Sequence, residues 1–117
     1  MNQNLILEKS YQFALRIVRL FKYLTDEKKE FVLSRKVLDA GTSIGARIKS
    51  AQESGSKVIF VSEISVALQR APETEYWLQL LQDSGYLDAQ QFESIHGNCV
   101  EIIKMLTAIN KSSKLQM

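Results

Sequence analysis

Phe92-Glu93-Ser94-Ile95-His96-Gly97-Asn98-Cys99-Val100-Glu101-Ile102-Ile103-Lys104-Met105-Leu106-Thr107-Ala108-Ile109 sets Phe92, Ile95, Cys99, Ile102, Leu106 and Ile109 at alternating three- and four-residue steps. Those steps stack the six side chains along one face of a helix, and no two-residue alternation competes as a strand. Just upstream, Asp88 with Gln91 three residues later has the form of a capping box, in which each side chain satisfies a free backbone N–H of the first turn. Gly85 before it suits the left-handed conformation that closes a preceding helix. The last helix is therefore placed at about 89–110, with the polar tail 111–117 expected to fray.

The same periodicity extends outward from this stretch. Phe60, Ile64, Ala67, Ala71, Thr74, Leu78 and Leu81 share one face over 57–84, and Ser56 is a suitable N-cap after the breaker Glu53-Ser54-Gly55-Ser56. Pro72 lies inside this segment, where it supplies no N–H and its ring crowds the carbonyl of Leu68, so the third helix is expected to be kinked or split between 68 and 72. Leu33, Val37, Ala40, Ile44, Ile48 and Ala51 define a second helix over about 27–52, with Thr25 or Asp26 as its N-cap. Gly41 and Gly45 each cost this helix roughly 1 kcal/mol relative to alanine, which calls for a close approach of another backbone. In the first helix, about 5–24, Ile6, Ser10, Phe13, Ile17, Leu20 and Leu24 face inward. A second row, Leu7, Tyr11, Ala14, Val18 and Phe21, makes its apolar surface wider than one seam needs.

Four helices with short connections predict a single all-α domain over 1–117, an up-down-up-down four-helix bundle roughly 30–40 Å long. Composition agrees. Five glycines and one proline are too few breakers for a sandwich or barrel that turns every 8 to 12 residues or so. One cysteine cannot form an intrachain disulfide, the opening residues lack a leader pattern, and charges interrupt every apolar run before the roughly 18 residues of a membrane span. A cytoplasmic location is expected.

Catalytic apparatus is not apparent. Glu93 and His96 have the Glu-x-x-His spacing used in di-iron bundles, but such a site needs two pairs and further carboxylates, and His96 is the only histidine. Cys99 falls in an apolar seam with no base assignable by spacing, which marks it as a small hydrophobe. Gly41-Thr42-Ser43-Ile44-Gly45 lacks the third glycine of a dinucleotide fingerprint and the Gly-Lys-Ser/Thr ending of a phosphate loop. Tyr76, Trp77 and Tyr86 read as core or subunit contacts, Trp77 as the most buried. Glu73 and Glu75 diverge around the helix and read as ion-pair partners. No metal and no cofactor is expected.

Charge is uneven. Residues 1–54 hold ten Lys/Arg against six Asp/Glu, and residues 55–117 hold five against seven. Lys29, Lys36 and Arg47 are separated by near-integral turns, which predicts one ridge about 27 Å long on the second helix. Arg16, Arg19 and Lys22 step around the first helix nearby. A total of +2 is small for a nucleic-acid binder, so a polyanion site needs a local stripe, or several copies whose fields add.

The runs Val37-Leu38-Asp39-Ala40-Gly41-Thr42-Ser43-Ile44-Gly45-Ala46-Arg47-Ile48, Ser56-Lys57-Val58-Ile59-Phe60 and Glu63-Ile64-Ser65-Val66-Ala67-Leu68-Gln69-Arg70-Ala71-Pro72-Glu73-Thr74-Glu75-Tyr76-Trp77-Leu78 resemble the bacterial family of 23S rRNA intervening-sequence proteins. The resemblance covers nearly the whole chain and is most specific in this central block. It implies a small four-helix bundle that assembles as a homo-oligomer, typically a pentamer, with RNA or DNA binding through basic surfaces as the natural analogy. The resulting expectation is a non-enzymatic oligomer binding structured RNA or a ribonucleoprotein through Arg16, Arg19, Lys29, Lys36, Arg47 and Lys49. The alternative is an oligomeric adaptor or assembly protein whose client is another protein.

Overall fold

Local capping chemistry places the later helix boundaries where the sequence marks them. The computed structural model describes residues 3–116, which form α1 (Gln3–Asp26), α2 (Leu33–Glu53), α3 (Lys57–Asp83) and α4 (Ala89–Leu115). Of the expected domain, residues 1, 2 and 117 lie outside the described residues. Ser56 is extended and its side chain accepts from Ile59 N at 3.3 Å, opening α3. Asp88 and Gln91 form both bonds of the capping box, at 2.7 and 2.9 Å, opening α4. Gly85, at φ 89°, supplies the left-handed turn after α3.

The first connection departs from expectation. Neither Thr25 nor Asp26 is an N-cap, since both lie in α1; the Thr25 hydroxyl donates back to Phe21 O at 3.0 Å. The chain then turns through Lys29 at φ 55°, and Glu30 N closes on Leu24 O at 2.8 Å. α2 begins at Leu33, six residues later than expected, because Glu30 folds beneath its first turn. One carboxylate oxygen accepts from Val32 N (3.2 Å) and Leu33 N (2.9 Å), the other from Ser34 N (2.7 Å). Three otherwise free N–H groups are thereby satisfied by a residue that precedes the helix.

Of the kink or split expected at Pro72, α3 shows no split: it passes Pro72 as one continuous helix. Pro72 is exposed while Ala67, Ala71 and Thr74 beside it are buried, so packing on the opposite face holds the helix across the missing hydrogen bond. One further correction concerns the tail, which does not fray from 111: α4 runs to Leu115, with Ser113 buried.

Each helix packs on two neighbours. α1 meets α2 and α4, and α3 meets α2 and α4, while the backbones of the diagonal pairs do not approach closely among the described residues. This is the square section of an up-and-down bundle, 46 Å along its long axis. Every inward residue named for α1 and α4 is buried, as are those of α2 and α3 apart from half-buried Leu33 and Phe60. The glycine crossing lies between α1 and α2. A Cβ on Gly41 would stand 2.7 Å from Ile17 Cγ1, and one on Gly45 3.3 Å from Ser10 Oγ. The second row of α1 stays partly uncovered, and Tyr11 is 61% exposed. No helix is long and apolar enough to cross a membrane among the described residues.

Candidate nucleic-acid interface

The up-down topology gathers the α1–α2 connection and the α3–α4 connection at one end of the bundle. The chain from Arg16 to Lys36, which builds the α1 side of that end, holds seven Lys/Arg against three Asp/Glu. One of the three, Glu30, is 8% exposed and committed to the α2 N-terminus. Burial pushes its carboxyl upward, but the backbone donors of Leu33, Ser34 and Val32 outweigh this and hold it below the usual value, so it stays an anion turned inward. The α3–α4 side of the same end carries exposed Asp83, Asp88 and Glu93 and no Lys/Arg, so the positive charge is confined to the α1–α2 side.

The six expected contact residues separate into groups. Arg19, Lys29 and Lys36 are exposed, and no side-chain partner holds any of them among the described residues. Arg16 is anchored across the α1–α4 seam. It donates to Ser94 O at 3.1 Å, to Ser94 Oγ at 2.9 Å and to Asn98 Oδ1. All three acceptors are neutral, so the guanidinium keeps its charge in a fixed position. Arg47 pairs with Glu63 at 3.4 Å, and Lys49 pairs with Glu53 at 3.1 Å one turn along α2. Those two belong to the opposite half of the bundle and are offset by carboxylates. The expected 27 Å ridge is also corrected: Lys29 lies in the loop before α2, so the helix carries only Lys36 and Arg47 of the three. Lys28, which the sequence reading passed over, belongs to the basic side, with its ammonium 5.8 Å from the centre of the Tyr23 ring.

A solvent-open niche of about 460 Å³ lies at the same end, in the α1–α4 seam. Arg16 and Arg19 form one wall, and Gln90, Gln91 and Ser94 the other. Tyr23 and the apolar side chains of Leu20, Leu87 and Ile95 also line it, and no carboxylate does. On another side of the bundle, an apolar groove of about 760 Å³ runs between α1 and α2, lined by Leu7, Tyr11, Ala14, Gly45 and Ala46, with Lys49 among its polar residues.

The remaining chemical candidates have structural partners. His96 Nε2 lies 2.7 Å from Glu75 Oε2 of α3, and its ring stacks on Phe92 with centroids 4.6 Å apart. Glu93 is exposed and does not join them, and no cluster able to hold a metal ion occurs among the described residues. Burial, with the Glu75 carboxylate adding to it, pushes the Cys99 thiol up to about 12, and its Sγ lies 3.4 Å from Ala71 O. Glu73 receives Arg70 at 2.8 Å and Trp77 Nε1 at 3.2 Å. Trp77 is half-buried and packed against the core, whereas Tyr76 beside it is 61% exposed. Arg70 also reaches Asp39 at 2.6 Å and ties α3 to α2.

Fold and surface together define an up-and-down four-helix bundle whose α1–α2 side is basic at one end and whose α3–α4 side there is acidic. The family model of the 23S rRNA-intervening sequence protein matches residues 2–108, and the chain belongs to that family. It is similar to a crystal structure of a protein with unknown function from the S23 ribosomal protein family of Bacteroides thetaiotaomicron VPI-5482. The two are 46% identical over 95% of this chain and 99% of that one, with a TM-score of 0.93. No curated protein matches the sequence.

Proposed function

We propose that this chain is a non-enzymatic, cytoplasmic, homo-oligomeric bundle that binds structured RNA, alone or within a ribonucleoprotein, through phosphate contacts from its basic side. The observation that carries the reading is that Arg19, Lys29 and Lys36, on the α1–α2 side of one end, are exposed and free of carboxylate partners, with the charge of Arg16, on the same helix as Arg19, fixed by neutral acceptors. Membership in a family named for an rRNA insertion supports RNA over other polyanions. A single chain offers few such contacts, and repetition around an oligomer multiplies them. The half-covered second row of α1 and the groove beside it suit contact between copies, the pentamer implied by the resemblance being one closed form.

Filter binding of a folded RNA hairpin over increasing salt tests the phosphate mechanism. Affinity is expected to fall steeply with salt, and a flat response eliminates it. The groove also favours a second reading, an adaptor whose client is another protein. Charge reversal at Arg19, Lys29 and Lys36 separates the two: RNA capture collapses under the first, and partner capture is unchanged under the second.

A further inference from the structure

We propose that the α1–α4 niche receives one unpaired nucleotide unit, its phosphate on Arg19 and its base within the pocket formed by Tyr23, the apolar floor and the amides of α4. The inference rests on the RNA reading for the source of the nucleotide and adds what that reading lacks, a place where an RNA is gripped other than by its overall charge.

Three properties of the niche converge on this ligand class. Its volume, about 460 Å³, falls within the roughly 300–1,000 Å³ of small-ligand pockets. Its charged lining is wholly cationic. Arg16 is held by Ser94 and Asn98, whereas Arg19, one turn along the same face of α1, retains all its donors for an incoming anion. A bare anion needs nothing more, yet the rest of the lining is not suited to a bare anion. Tyr23 offers an aromatic surface, with the narrow exposed edges of the otherwise buried Leu20, Leu87 and Ile95 lining the niche beside it, which suits the face of a base.

The third property is the amide pair. Gln91 accepts from Asp88 N through Oε1, so its NH₂ remains a donor. Gln90 beside it is exposed, with both amide functions available. An amide presents donor and acceptor together, the arrangement that pairs with a base edge. Duplex RNA buries those edges, so the niche selects nucleotides that are flipped out, bulged or single-stranded.

The test uses the full chain and three small probes, 5′-AMP, adenosine and inorganic phosphate, by ligand-observed NMR at low salt. Two fluorescein-labelled RNAs, a single-stranded decamer and a fully paired hairpin, are followed by anisotropy. AMP is expected to bind more tightly than either fragment. Arg19→Gln and Gln90→Glu, both at exposed positions, are expected to weaken AMP and the decamer by about tenfold, the second by placing a carboxylate in the niche. Lys36→Gln is expected to leave AMP unchanged. Tyr23→Leu, which keeps an apolar contact and removes the aromatic ring, is expected to weaken AMP by about five- to tenfold.

Absence of AMP binding, or AMP binding indifferent to Arg19→Gln, overturns the proposal. Phosphate binding as tightly as AMP also overturns it, since the niche is then a plain anion site. If the hairpin binds with steep salt dependence while AMP does not bind, the niche proposal fails and the RNA reading stands. If AMP binds as expected and neither RNA does, the RNA reading fails and the niche stands as a site for free nucleotides.

Discussion

Gly41 of α2 and Ile17 of α1 meet so closely that a Cβ on the glycine would lie 2.7 Å from Ile17 Cγ1 and 3.0 Å from its Cδ1 and Cγ2. Ile17 is fully buried, so it has no solvent side into which to move. Gly41→Ala gains about 1 kcal/mol of helix propensity and incurs overpacking of roughly 1–3 kcal/mol. Net destabilisation of about 1 kcal/mol is expected in urea denaturation. In an Ile17→Ala background the clash is absent, and the same glycine change is expected to stabilise. An equal effect in both backgrounds would show that the close approach does not govern this site.

The Glu30 cap makes part of the stability pH-dependent. The folded carboxyl titrates below its unfolded value, because the N–H bonds from Leu33, Ser34 and Val32 overcome the upward push of burial. Its contribution is therefore complete above the unfolded value near 4.5 and is lost as pH falls through the lower folded value. Glu30→Gln keeps one acceptor oxygen and removes the charge. It is expected to cost about 1–2 kcal/mol at pH 7, as loss of a helix cap does. The gap between wild type and variant should narrow in denaturation curves as pH is lowered below 4.5. A gap that persists unchanged to pH 3 would contradict the charged cap.

Cys99 is expected to be inert in the folded chain. With its thiol pushed up to about 12 by burial and then by Glu75, the thiolate that reacts is scarce at pH 8, and the sulfur is covered. Alkylation by iodoacetamide at pH 8 should run at least about a hundredfold slower than in denaturant. Comparable rates would place Cys99 outside the core.

What could be read in advance depended on how local the cause was. The three-four spacing of Phe92 to Ile109 acts within one helix, and every marked position is buried. The Asp88–Gln91 box, the Ser56 cap and the Gly85 turn are likewise decided within a few residues. The start of α2 was hidden because its cap is a glutamate two residues before the N-cap position, held by a turn at Lys29 that no residue type signals. Pairing of charges was hidden for a different reason. Arg16 and Ser94, Arg47 and Glu63, and His96 and Glu75 are brought together only by which helices adjoin. The basic first half was visible as composition, but its division into free and neutralised cations was not.

That division gives the sharpest expectation for RNA binding. Lys36 has no carboxylate partner among the described residues, whereas Arg47 lies 3.4 Å from Glu63. A free lysine that touches phosphate releases a counterion on binding, and its loss lowers the slope of log K against log salt by roughly 0.7–0.9. An arginine already opposed by a carboxylate contributes less to that slope, because part of its charge is neutralised before RNA arrives. Lys36→Gln is therefore expected to weaken hairpin RNA binding and flatten its salt dependence, with Lys29→Gln behaving alike. Arg47→Gln is expected to leave both nearly unchanged, and Glu63→Gln, which releases Arg47, to strengthen binding if that face lies along the RNA. Filter binding at four or more salt concentrations separates these cases. A larger slope change from Arg47→Gln than from Lys36→Gln would move the interface from the basic side of that end to the opposite half of α2.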